Sequence, residues 1–353
     1  MTKEKVLMSG NHVIGEASVR AGCRFYAGYP ITPQNELTEY MAGAMAKLDD
    51  GTFIQAESEI AAINMLIGAS MAGARVMTSS SSPGISLKQE GISFLSALEL
   101  PAVIVNCMRG GPGLGNIAPS QGDYFQATRG GGHGDYRNIV LGPASGQELA
   151  DLVAKAFDYA DEYRTPVIIL LDGMMGQMME PVIFPEYRDV GTLPPRPWKI
   201  DGAKGRPSRV IKSLLLDVNV EEAHNWKLVE RYDKIRDKIQ MAETYRTSDA
   251  ELIIIAYGTA ARIAKGAVDR ARKEGLKAGL LRPVTLWPFP ERYLKETAGT
   301  DTEFLVFEMS TGQMLEDVKL SLNGSNRIHF YGRPGGPVST PVEILEQIKK
   351  YYP

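Results

Sequence analysis

Two carboxylates stand at the start of an unusually apolar segment and are the first candidates for chemistry. Glu57 and Glu59 occur in QAESEIAAINMLIGAS, whose later residues are mostly small or apolar. This composition predicts a buried helix that begins near Glu59. Burial penalises a charged carboxylate, and a chain that tolerates this penalty commonly uses the group to share or transfer a proton. The alternative is that Glu59 only interacts with the positive end of the helix dipole.

An arginine and a histidine lie in a glycine-rich segment that follows an apolar run. Arg109 comes directly after residues 100–108, which predict a buried strand, and residues 109–136 hold nine glycines without periodicity. A long irregular loop of this kind is usually functional. The Arg109 guanidinium could bind a substrate carboxylate through two parallel hydrogen bonds, or it could pair with a structural carboxylate. His133 is a further candidate because its glycine neighbours permit close approach to a ligand, and the alternative is an ordinary loop histidine.

Two loops of distinctive composition follow predicted strands. Residues 29–36, YPITPQNE, place prolines on both sides of Ile31 and Thr32, which predicts a rigid loop. Parallel α/β proteins place ligand contacts in the loops that follow their strands. Residues 79–84, SSSSPG, follow a second strand and predict a small-residue turn. The hydroxyl and N–H groups of this turn could contact a ligand, although a plain tight turn explains the same residues.

Strands and helices alternate along the first half of the chain, which predicts one doubly wound parallel sheet between residues 1 and 185. Residues 186–247 predict a proline-rich linker and a connecting amphipathic helix. Residues 248–353 repeat the alternation and predict a second, smaller parallel sheet. The predicted fold class is therefore α/β, with two doubly wound parallel-sheet domains. The expected strands are residues 23–29, 76–78, 100–108 and 166–172 in the first domain, and 251–258, 278–281, 303–308 and 328–331 in the last.

The composition excludes several classes of protein. The 353 residues carry a net charge of -3 and 23% charged residues, which gives no electrostatic reason to bind nucleic acid or an anionic membrane. No apolar run approaches the roughly 20 residues that span a bilayer, and the first residues lack an apolar signal-peptide core. Cys23 and Cys107 are the only cysteines, so the chain cannot supply a four-cysteine zinc or iron–sulfur site. We therefore predict a globular, cytoplasmic protein.

Two common nucleotide-binding motifs are absent from the sequence. GGPGLGN is only loosely similar to a dinucleotide fingerprint, because no G-x-G-x-x-G lies directly between a predicted strand and a predicted helix. There is no Walker motif either. Nicotinamide binding is therefore a poor interpretation of the glycine-rich segment.

Seven motifs spread over nearly the whole chain carry a family resemblance. They are GYPITPQNE, QAESEIAAINMLIGAS, SSSSPGISLKQEG, MRGGPGLGN, GGGHGDYR, YGTAARIA and LRPVTLWPFP. In combination they resemble the alpha subunit of the thiamine-diphosphate-dependent 2-oxoacid:ferredoxin oxidoreductases. Within that family the chain is most similar to the 2-oxoisovalerate (branched-chain) type. YPITPQNE and SSSSPGISLKQEG stand where 2-oxoglutarate-type chains more often have YPITPSSE and TSGPG-like turns.

The resemblance implies a role for each candidate residue. It implies that residues 1–185 form a pyrimidine-binding domain and that residues 248–353 form a transketolase C-terminal-like domain. Glu59 aligns with the catalytic glutamate that hydrogen-bonds the aminopyrimidine ring of the cofactor, while Glu57 is left as a supporting carboxylate. The other implied contacts are Thr32 and Arg109 with the substrate, and Ser81, Gly84 and His133 with thiamine diphosphate.

The resemblance also implies that the chain works in a complex. The family's magnesium and diphosphate motif, GDG followed by an asparagine, is absent, since Leu171-Asp172-Gly173 lacks the first glycine. Thiamine diphosphate would therefore be shared with a beta subunit that holds Mg²⁺ and a [4Fe–4S] cluster, alongside gamma and ferredoxin-like delta subunits. The implied reaction converts a 2-oxo acid and coenzyme A to acyl-CoA and CO₂ and reduces ferredoxin. Alternatives are the same chemistry on 2-oxoglutarate or pyruvate, and a non-catalytic assembly subunit.

Overall fold

The structure, a computed structural model, describes residues 4–299 and 301–353. The prediction that the chain begins without an apolar signal segment rests partly on residues 1–3, which lie outside the described residues. Over the described part of the chain, no helix combines the length and the apolar character needed to cross a bilayer.

The first half of the chain alternates strands with helices, as its apolar pattern predicts. Its strands are β1 (Val6–Ser9), β2 (Phe25–Gly28), β3 (Thr52–Gln55), β4 (Val76–Ser80), β5 (Ala102–Met108), β6 (Ile139–Leu141), β7 (Pro166–Asp172) and β8 (Met179–Val182). Its helices are α1 (Gly10–Arg20), α2 (Asn35–Met45), α3 (Glu59–Met71), α4 (Ser82–Ala97), α5 (Tyr124–Arg129), α6 (Gly146–Tyr163) and α7 (Gly173–Gln177).

A long connection leads from this half to the remaining elements. It contains a short 3₁₀ turn (Val190–Thr192) and α8 (Val218–Lys238). The elements that follow are β9 (Ala242–Tyr245), β10 (Leu252–Ile255), α9 (Gly258–Lys273), β11 (Ala278–Pro283), β12 (Thr285–Trp287), α10 (Glu291–Thr297), β13 (Glu303–Glu308), α11 (Gln313–Leu322), β14 (Ile328–Gly332) and α12 (Pro341–Tyr351).

Seven strands form the larger sheet, in the order β12-β6-β7-β5-β4-β2-β3. Neighbouring strands are parallel, except that β12 pairs antiparallel with β6. Every residue of β4, β5 and β7 is buried, which requires cover on both faces of the sheet. That cover comes from two groups of helices, since α1 packs against α2 and α6, whereas α3 packs against α4.

Five strands form the smaller sheet, in the order β14-β13-β10-β11-β9. Its strands are parallel apart from β9, which pairs antiparallel with β11 at one edge. The core beneath it comes from apolar faces of α9 and α12, which pack against each other. The predicted class, two parallel-sheet α/β units, is therefore confirmed. β1 and β8 form a separate two-stranded antiparallel ribbon beside α1 and α6.

Two local predictions are wrong, and both concern the α3–α4 region. The serine run was expected to form a turn, but Ser79 and Ser80 belong to β4 and residue 82 begins α4. Proline at the second position of a helix is compatible with its start, so SSSSPG begins α4 instead of interrupting the chain. The helix α3 was expected to be buried, yet Ile60 is 52% exposed and Met65 is 37% exposed. One face of α3 is therefore apolar and uncovered in this chain.

Candidate active site

The predicted site residues follow four neighbouring strands of the larger sheet. Parallel strands end at the same edge, so the loops after β2, β3, β4 and β5 lie side by side. Thr32, Glu59, Ser81, Gly84 and Arg109 all lie within a few residues of these strand ends. The topology therefore brings five of the six predicted residues to one edge of the sheet.

Glu59 is the first residue of α3, and its side chain turns inward. Ser58 caps the helix by accepting a hydrogen bond from the Ala61 N–H. The Glu59 side chain is therefore not the N-cap of α3. Its side chain is only 6% exposed. No hydrogen bond joins its carboxylate to any other group in the described residues, whereas the neighbouring Glu57 is exposed.

Gly84 lies against the Glu59 carboxylate, in the first turn of α4. A Cβ at this position would come within 2.5 Å of Glu59 Oε1 and would also collide with Ser80 Oγ. Any side chain here would therefore displace the carboxylate or the hydroxyl. The absence of a Cβ therefore lets the first turn of α4 lie directly against the Glu59 carboxylate.

Two buried serine hydroxyls face the same region and have no partner. Ser80 and Ser81 are completely buried, and neither Oγ atom finds a hydrogen bond within the described residues. The Ser81 carbonyl accepts the N–H groups of Gly84 and Ile85, which fixes the first turn of α4. Buried polar groups are normally paired, so these two hydroxyls are available to a bound group.

Arg109 joins the two loops predicted to contact substrate. Its Nη1 donates to the Thr32 carbonyl at 3.1 Å, and its Nη2 donates to the Leu114 carbonyl at 3.0 Å. The Nε atom is buried without a partner in the described residues. No carboxylate of the described residues pairs with the guanidinium, whose Nη1 and Nη2 instead donate to backbone carbonyls. The Thr32 side chain is exposed at the same edge.

His133 is placed apart from the other candidates. Its ring is exposed, and its carbonyl accepts a hydrogen bond from Ser93 Oγ at 2.9 Å. Ser93 lies nine residues after Gly84 on α4, which is about 13 Å along the helix axis. The glycine loop around His133 also packs on Gln89, whose Oε1 accepts the Gly131 N–H. The structure therefore groups His133 with the middle of α4.

A buried hydrogen-bond network beneath the site is missing from the sequence predictions. The Tyr26 hydroxyl lies 2.6 Å from Ser79 Oγ and 3.0 Å from Thr38 Oγ1. Ser79 and Thr38 both donate to Gln34 Oε1, and the Gln34 Nε2 atom has no acceptor in the described residues. The side chains come from β2, α2 and β4, so they meet only through the topology. The prolines around Ile31 gave a signal for the rigid loop but none for this network.

Asp123 is a second feature that the sequence did not indicate. Its Oδ2 accepts hydrogen bonds from Ser82 Oγ at 2.6 Å and Asn106 Nδ2 at 2.9 Å. Burial raises the pKa of Asp123, and these two donors oppose that rise. Ser82 also accepts the Arg109 N–H at 3.0 Å, which links Asp123 to the predicted substrate residues. A cavity of about 390 Å³ opens beside this group, between the two sheets' domains.

Comparison with known proteins identifies the family. Residues 16–244 match the family described as "Pyruvate flavodoxin/ferredoxin oxidoreductase, thiamine diP-bdg", and residues 250–344 match "Pyruvate:ferredoxin oxidoreductase core domain II". The chain belongs to the thiamine-diphosphate-binding pyruvate flavodoxin/ferredoxin oxidoreductase family. The resemblance inferred from the seven motifs is thereby confirmed.

Members of this oxidoreductase family align with the chain over almost its whole length. The ketoisovalerate oxidoreductase subunit VorB of Methanothermobacter marburgensis is 48% identical, covering 98% of this chain and 97% of its own. The 2-oxoglutarate synthase subunit KorA of the same organism is 39% identical, covering 98% of both chains. Both relatives are named as subunits of larger enzymes.

Solved structures of oxidoreductase and transketolase type share the fold. A 2-oxoglutarate:ferredoxin oxidoreductase from Magnetococcus marinus, with 2-oxoglutarate, coenzyme A and succinyl-CoA bound, superimposes with a TM-score of 0.85 at 26% identity. The match covers 99% of this oxidoreductase-family chain but only 65% of that longer chain. A split-gene transketolase in an inactive tetramer has a TM-score of 0.59 at 13% identity, which reflects the fold alone.

The described residues fit the pyrimidine end of thiamine diphosphate. Glu59 offers a buried carboxylate that no hydrogen bond of these residues occupies, Gly84 lets α4 lie against it, and Ser80 and Ser81 present unpaired hydroxyls. A carboxylate can accept a proton from a ring nitrogen or return it, which is the interaction an aminopyrimidine requires. Within the described residues, no group of three histidine, cysteine, aspartate or glutamate side chains is arranged to hold a metal ion.

Proposed function

We propose that this chain is the alpha subunit of a 2-oxoacid:ferredoxin oxidoreductase whose substrate is 2-oxoisovalerate. The complete enzyme would convert the 2-oxo acid and coenzyme A to acyl-CoA and CO₂, and would pass two electrons singly to ferredoxin. The observation that carries this proposal is the buried, unpaired Glu59 carboxylate beside Gly84. The branched-chain assignment is supported by the 48% identity to a ketoisovalerate oxidoreductase subunit.

Each residue at the strand ends has a separate proposed role. Thiamine diphosphate, when bound, supplies the carbon nucleophile and the electron sink that decarboxylation of a 2-oxo acid requires. Glu59 would hold and exchange a proton at the pyrimidine ring nitrogen, with Gly84 and Ser81 bordering the ring. Arg109 would use its unpaired Nε toward the substrate carboxylate, and the exposed Thr32 hydroxyl would lie beside it.

His133 keeps a proposed cofactor contact, supported by its motif and by its glycine loop on α4. From there it could reach the cofactor only at a part that extends along α4. A His133→Asn substitution is therefore expected to weaken thiamine diphosphate binding less than substitution of Glu59, as measured by calorimetric titration of the complex. Equal or larger weakening would contradict this secondary role.

The proposed partners follow from groups that the described residues do not supply. Cys23 and Cys107 are fully buried in the first domain, so they are unavailable to an iron–sulfur cluster. A beta subunit would hold Mg²⁺, the diphosphate and a [4Fe–4S] cluster, and gamma and ferredoxin-like delta subunits would complete the complex. The uncovered apolar face of α3, with Ile60 and Met65, would be covered by the beta subunit next to Glu59.

Native mass spectrometry of the tagged protein, isolated anaerobically from its own host, tests these partners. We expect additional chains together with the masses of thiamine diphosphate and an iron–sulfur cluster. A homo-oligomer without cofactor would contradict the proposal. A charged substitution at Met65 should release the beta subunit and leave the fold of this chain intact.

Substitution of Glu59 by glutamine tests the catalytic role. The amide has the same shape but cannot exchange a proton, so turnover is expected to fall about 1,000-fold, or about 4 kcal/mol of barrier, in the assembled complex. Viologen reduction with 2-oxoisovalerate and coenzyme A measures this effect. Glu57→Gln is the matched control, because that carboxylate is exposed two residues away. Near-normal turnover in Glu59→Gln would remove Glu59 from the mechanism.

Arg109 is tested by its effect on the two substrates. Arg109→Ala is expected to raise KM for the 2-oxo acid at least tenfold more than KM for coenzyme A, because the guanidinium is proposed to bind only the acid. The same substitution removes the link between Thr32 and Leu114. Equal changes in both KM values would show that Arg109 acts only by joining these loops.

A second candidate substrate is 2-oxoglutarate, which is favoured by the 39% identity to a 2-oxoglutarate synthase subunit. A panel of 2-oxo acids assayed with the wild-type complex distinguishes the two. We expect kcat/KM to be highest for branched aliphatic acids. A preference for 2-oxoglutarate or pyruvate would change the substrate but not the reaction. No turnover with any of them, in a complex that contains cofactor, would favour a non-catalytic assembly role.

A further inference from the structure

A fully buried lysine lies in the helix pair that positions Glu59. Lys88 has no exposed surface. Its Nζ atom donates to Thr78 Oγ1 at 2.7 Å, and the Thr78 hydroxyl donates to the Ala27 carbonyl at 2.7 Å. An ammonium group has three N–H donors, and only one of them has an acceptor among the described residues. Burying a cation with so little compensation is unfavourable unless an opposite charge is close.

The packing of α3 on α4 shows where that opposite charge lies. Gly84 of α4 lies against the Glu59 side chain of α3. A Cβ at Gly91 would lie 2.4 Å from the nearest Ile63 side-chain atom, so the α4 backbone approaches α3 side chains closely at both points. Residues 84, 88 and 91 share one face of α4, as residues 59 and 63 share one face of α3. Lys88 is therefore enclosed between the two contacts, one helical turn from Gly84.

Glu59 is the charged group that faces Lys88 within this enclosure. Burial lowers the pKa of Lys88 to about 7, and the Glu59 carboxylate opposes this by favouring the ammonium form. The strand beneath, β4, presents only the neutral Thr78 hydroxyl. No other charged side chain of the described residues opposes the effect of burial on Lys88. Glu59 is thus the counter-charge of this buried ammonium group, across the contact between α3 and α4.

We infer that Lys88 is a positioning residue for Glu59 and that its ammonium group, enclosed between α3 and α4, holds that carboxylate in place against Gly84. This inference rests on the proposed role of Glu59. A carboxylate fixed in one position can exchange a proton with the ring nitrogen, so activation of the cofactor would depend on the charge of Lys88. Lys88 itself, held beneath Glu59 by Thr78, would touch neither substrate nor cofactor.

The first test needs no cofactor and measures the pH dependence of unfolding for the full chain. The folded pKa of Lys88 is depressed to about 7, so the unfolded state binds more protons above that pH. Stability should therefore rise between about pH 7 and 10 in the wild type, and Lys88→Met should lack this rise. In Glu59→Gln, the rise in stability should begin about one pH unit lower, because the carboxylate that favours the ammonium form of Lys88 is removed.

The control for this experiment is Glu57→Gln, which removes an exposed carboxylate. In this variant the rise in stability should begin at the same pH as in the wild type. An identical onset in Glu59→Gln and the wild type would show that the two groups are not paired and would overturn the inference. An onset that moves in both glutamine variants would also overturn it, because the effect would then be nonspecific.

The second test follows the cofactor in the assembled complex without turnover. Exchange of the C2 hydrogen of bound thiamine diphosphate is measured by acid quench and NMR between pH 6 and 9. Lys88→Met should slow exchange about tenfold near pH 6.5, where Lys88 is charged in the wild type, and should approach the wild type at higher pH, where the wild-type lysine is itself neutral. A structural role would slow exchange equally at every pH, and that outcome contradicts the inference.

One further variant, and the comparison of Glu59→Gln with Lys88→Met, separate the possible failures. Thr78→Val keeps Lys88 and Glu59 but removes the hydroxyl that accepts a hydrogen bond from the Lys88 ammonium group. It is expected to slow C2 exchange in the same pH range as Lys88→Met but by a smaller factor. This test remains available if Lys88→Met folds poorly. Slow exchange in Glu59→Gln with wild-type exchange in Lys88→Met would overturn the inference and leave the proposed function intact. Wild-type exchange in Glu59→Gln would instead overturn the proposed function.

Discussion

The candidate active site differs from the seam, the contact between the two domains around Gln121 and Asp172, in how its buried polar groups are paired. At the seam, the Gln121 side chain donates to the Tyr257 carbonyl at 2.9 Å and accepts the Met309 N–H at 2.8 Å. At the strand ends, by contrast, the Ser80 and Ser81 hydroxyls are buried without partners in the described residues. The Gln121 amide is paired within this chain, whereas the two serine hydroxyls are left for a group outside the described residues.

The same contrast holds for the buried carboxylates. Asp172 ends β7, and its Oδ1 accepts hydrogen bonds from Thr259 Oγ1 and from two backbone N–H groups of α7. The Thr259 donor secures α9 of the second domain against the first, while Asp172 Oδ2 has no partner in the described residues. Glu59 is also buried but has no donor to either oxygen in the described part of the chain. A paired carboxylate holds structure together, while an unpaired one can exchange a proton.

The largest expected effect on this contrast comes from a substitution that disturbs the close contact between Gly84 and Glu59. Gly84→Ala places a methyl group 2.5 Å from Glu59 Oε1, so we expect the free energy of unfolding to fall by about 1 to 3 kcal/mol. Thiamine diphosphate affinity should fall at least tenfold. Urea unfolding and calorimetric titration measure the two effects. Gly43→Ala is the control, since nothing lies within 4 Å of its Cβ position. Unchanged affinity in Gly84→Ala would place the pyrimidine elsewhere.

A substitution at the seam should have the opposite profile. Thr259→Val removes the hydroxyl donor from Asp172, which is expected to lower the free energy of unfolding by about 2 kcal/mol. Cofactor affinity should not change. Burial raises the pKa of Asp172 and the Thr259 hydroxyl opposes this rise, so the loss should shrink as pH falls and the carboxyl becomes neutral. The exposed Thr244→Val is the control, and a cofactor defect in Thr259→Val would contradict the comparison.

The smallest effect concerns an unpaired hydroxyl. Ser81→Ala removes a group that has no partner, so the free energy of unfolding of the chain should change by less than about 0.5 kcal/mol. In the complex, thiamine diphosphate affinity should fall about fivefold, corresponding to one hydrogen bond of about 1 kcal/mol. Ser96→Ala on the same helix is the control, because that hydroxyl is already bonded to the Ile92 carbonyl. A stability loss without any change in affinity would contradict the assignment.

Much of the fold follows from apolar runs in the sequence, and the reason is local. The strand Pro166–Asp172 has the bounds expected from its apolar run, because the proline stands at its start and Gly173 follows its end. The start of α4 was missed because a serine run with proline is compatible with both a turn and a helix start. Only the packing of α4 against α3 decides between them.

Five of the six candidate residues expected from motifs lie at one edge of the sheet, but their contacts and the neighbouring Lys88 and Asp123 were not predicted. Glu59 and Gly84 were found from motifs, and parallel topology explains why they meet. Lys88 was missed because a lysine in a helix normally lies in solvent, and its burial depends on where α3 packs. The bonds from Arg109 to the Thr32 and Leu114 carbonyls were also missed, since backbone carbonyls carry no sequence signal. Long-range contacts of this kind require the folded chain.

The strand β12 has a consequence for how this protein can be divided. Thr285 and Trp287 lie far along the chain, yet they pair with Leu141 and Val140 at the edge of the larger sheet. The second half of the polypeptide thus supplies the border of the first half's sheet. Division of the chain near residue 247 would remove β12 from the larger sheet and expose the edge of β6. An unpaired strand edge of this kind promotes aggregation. Gene fusions, domain swaps or split versions of this subunit would keep both halves together, as one inseparable unit.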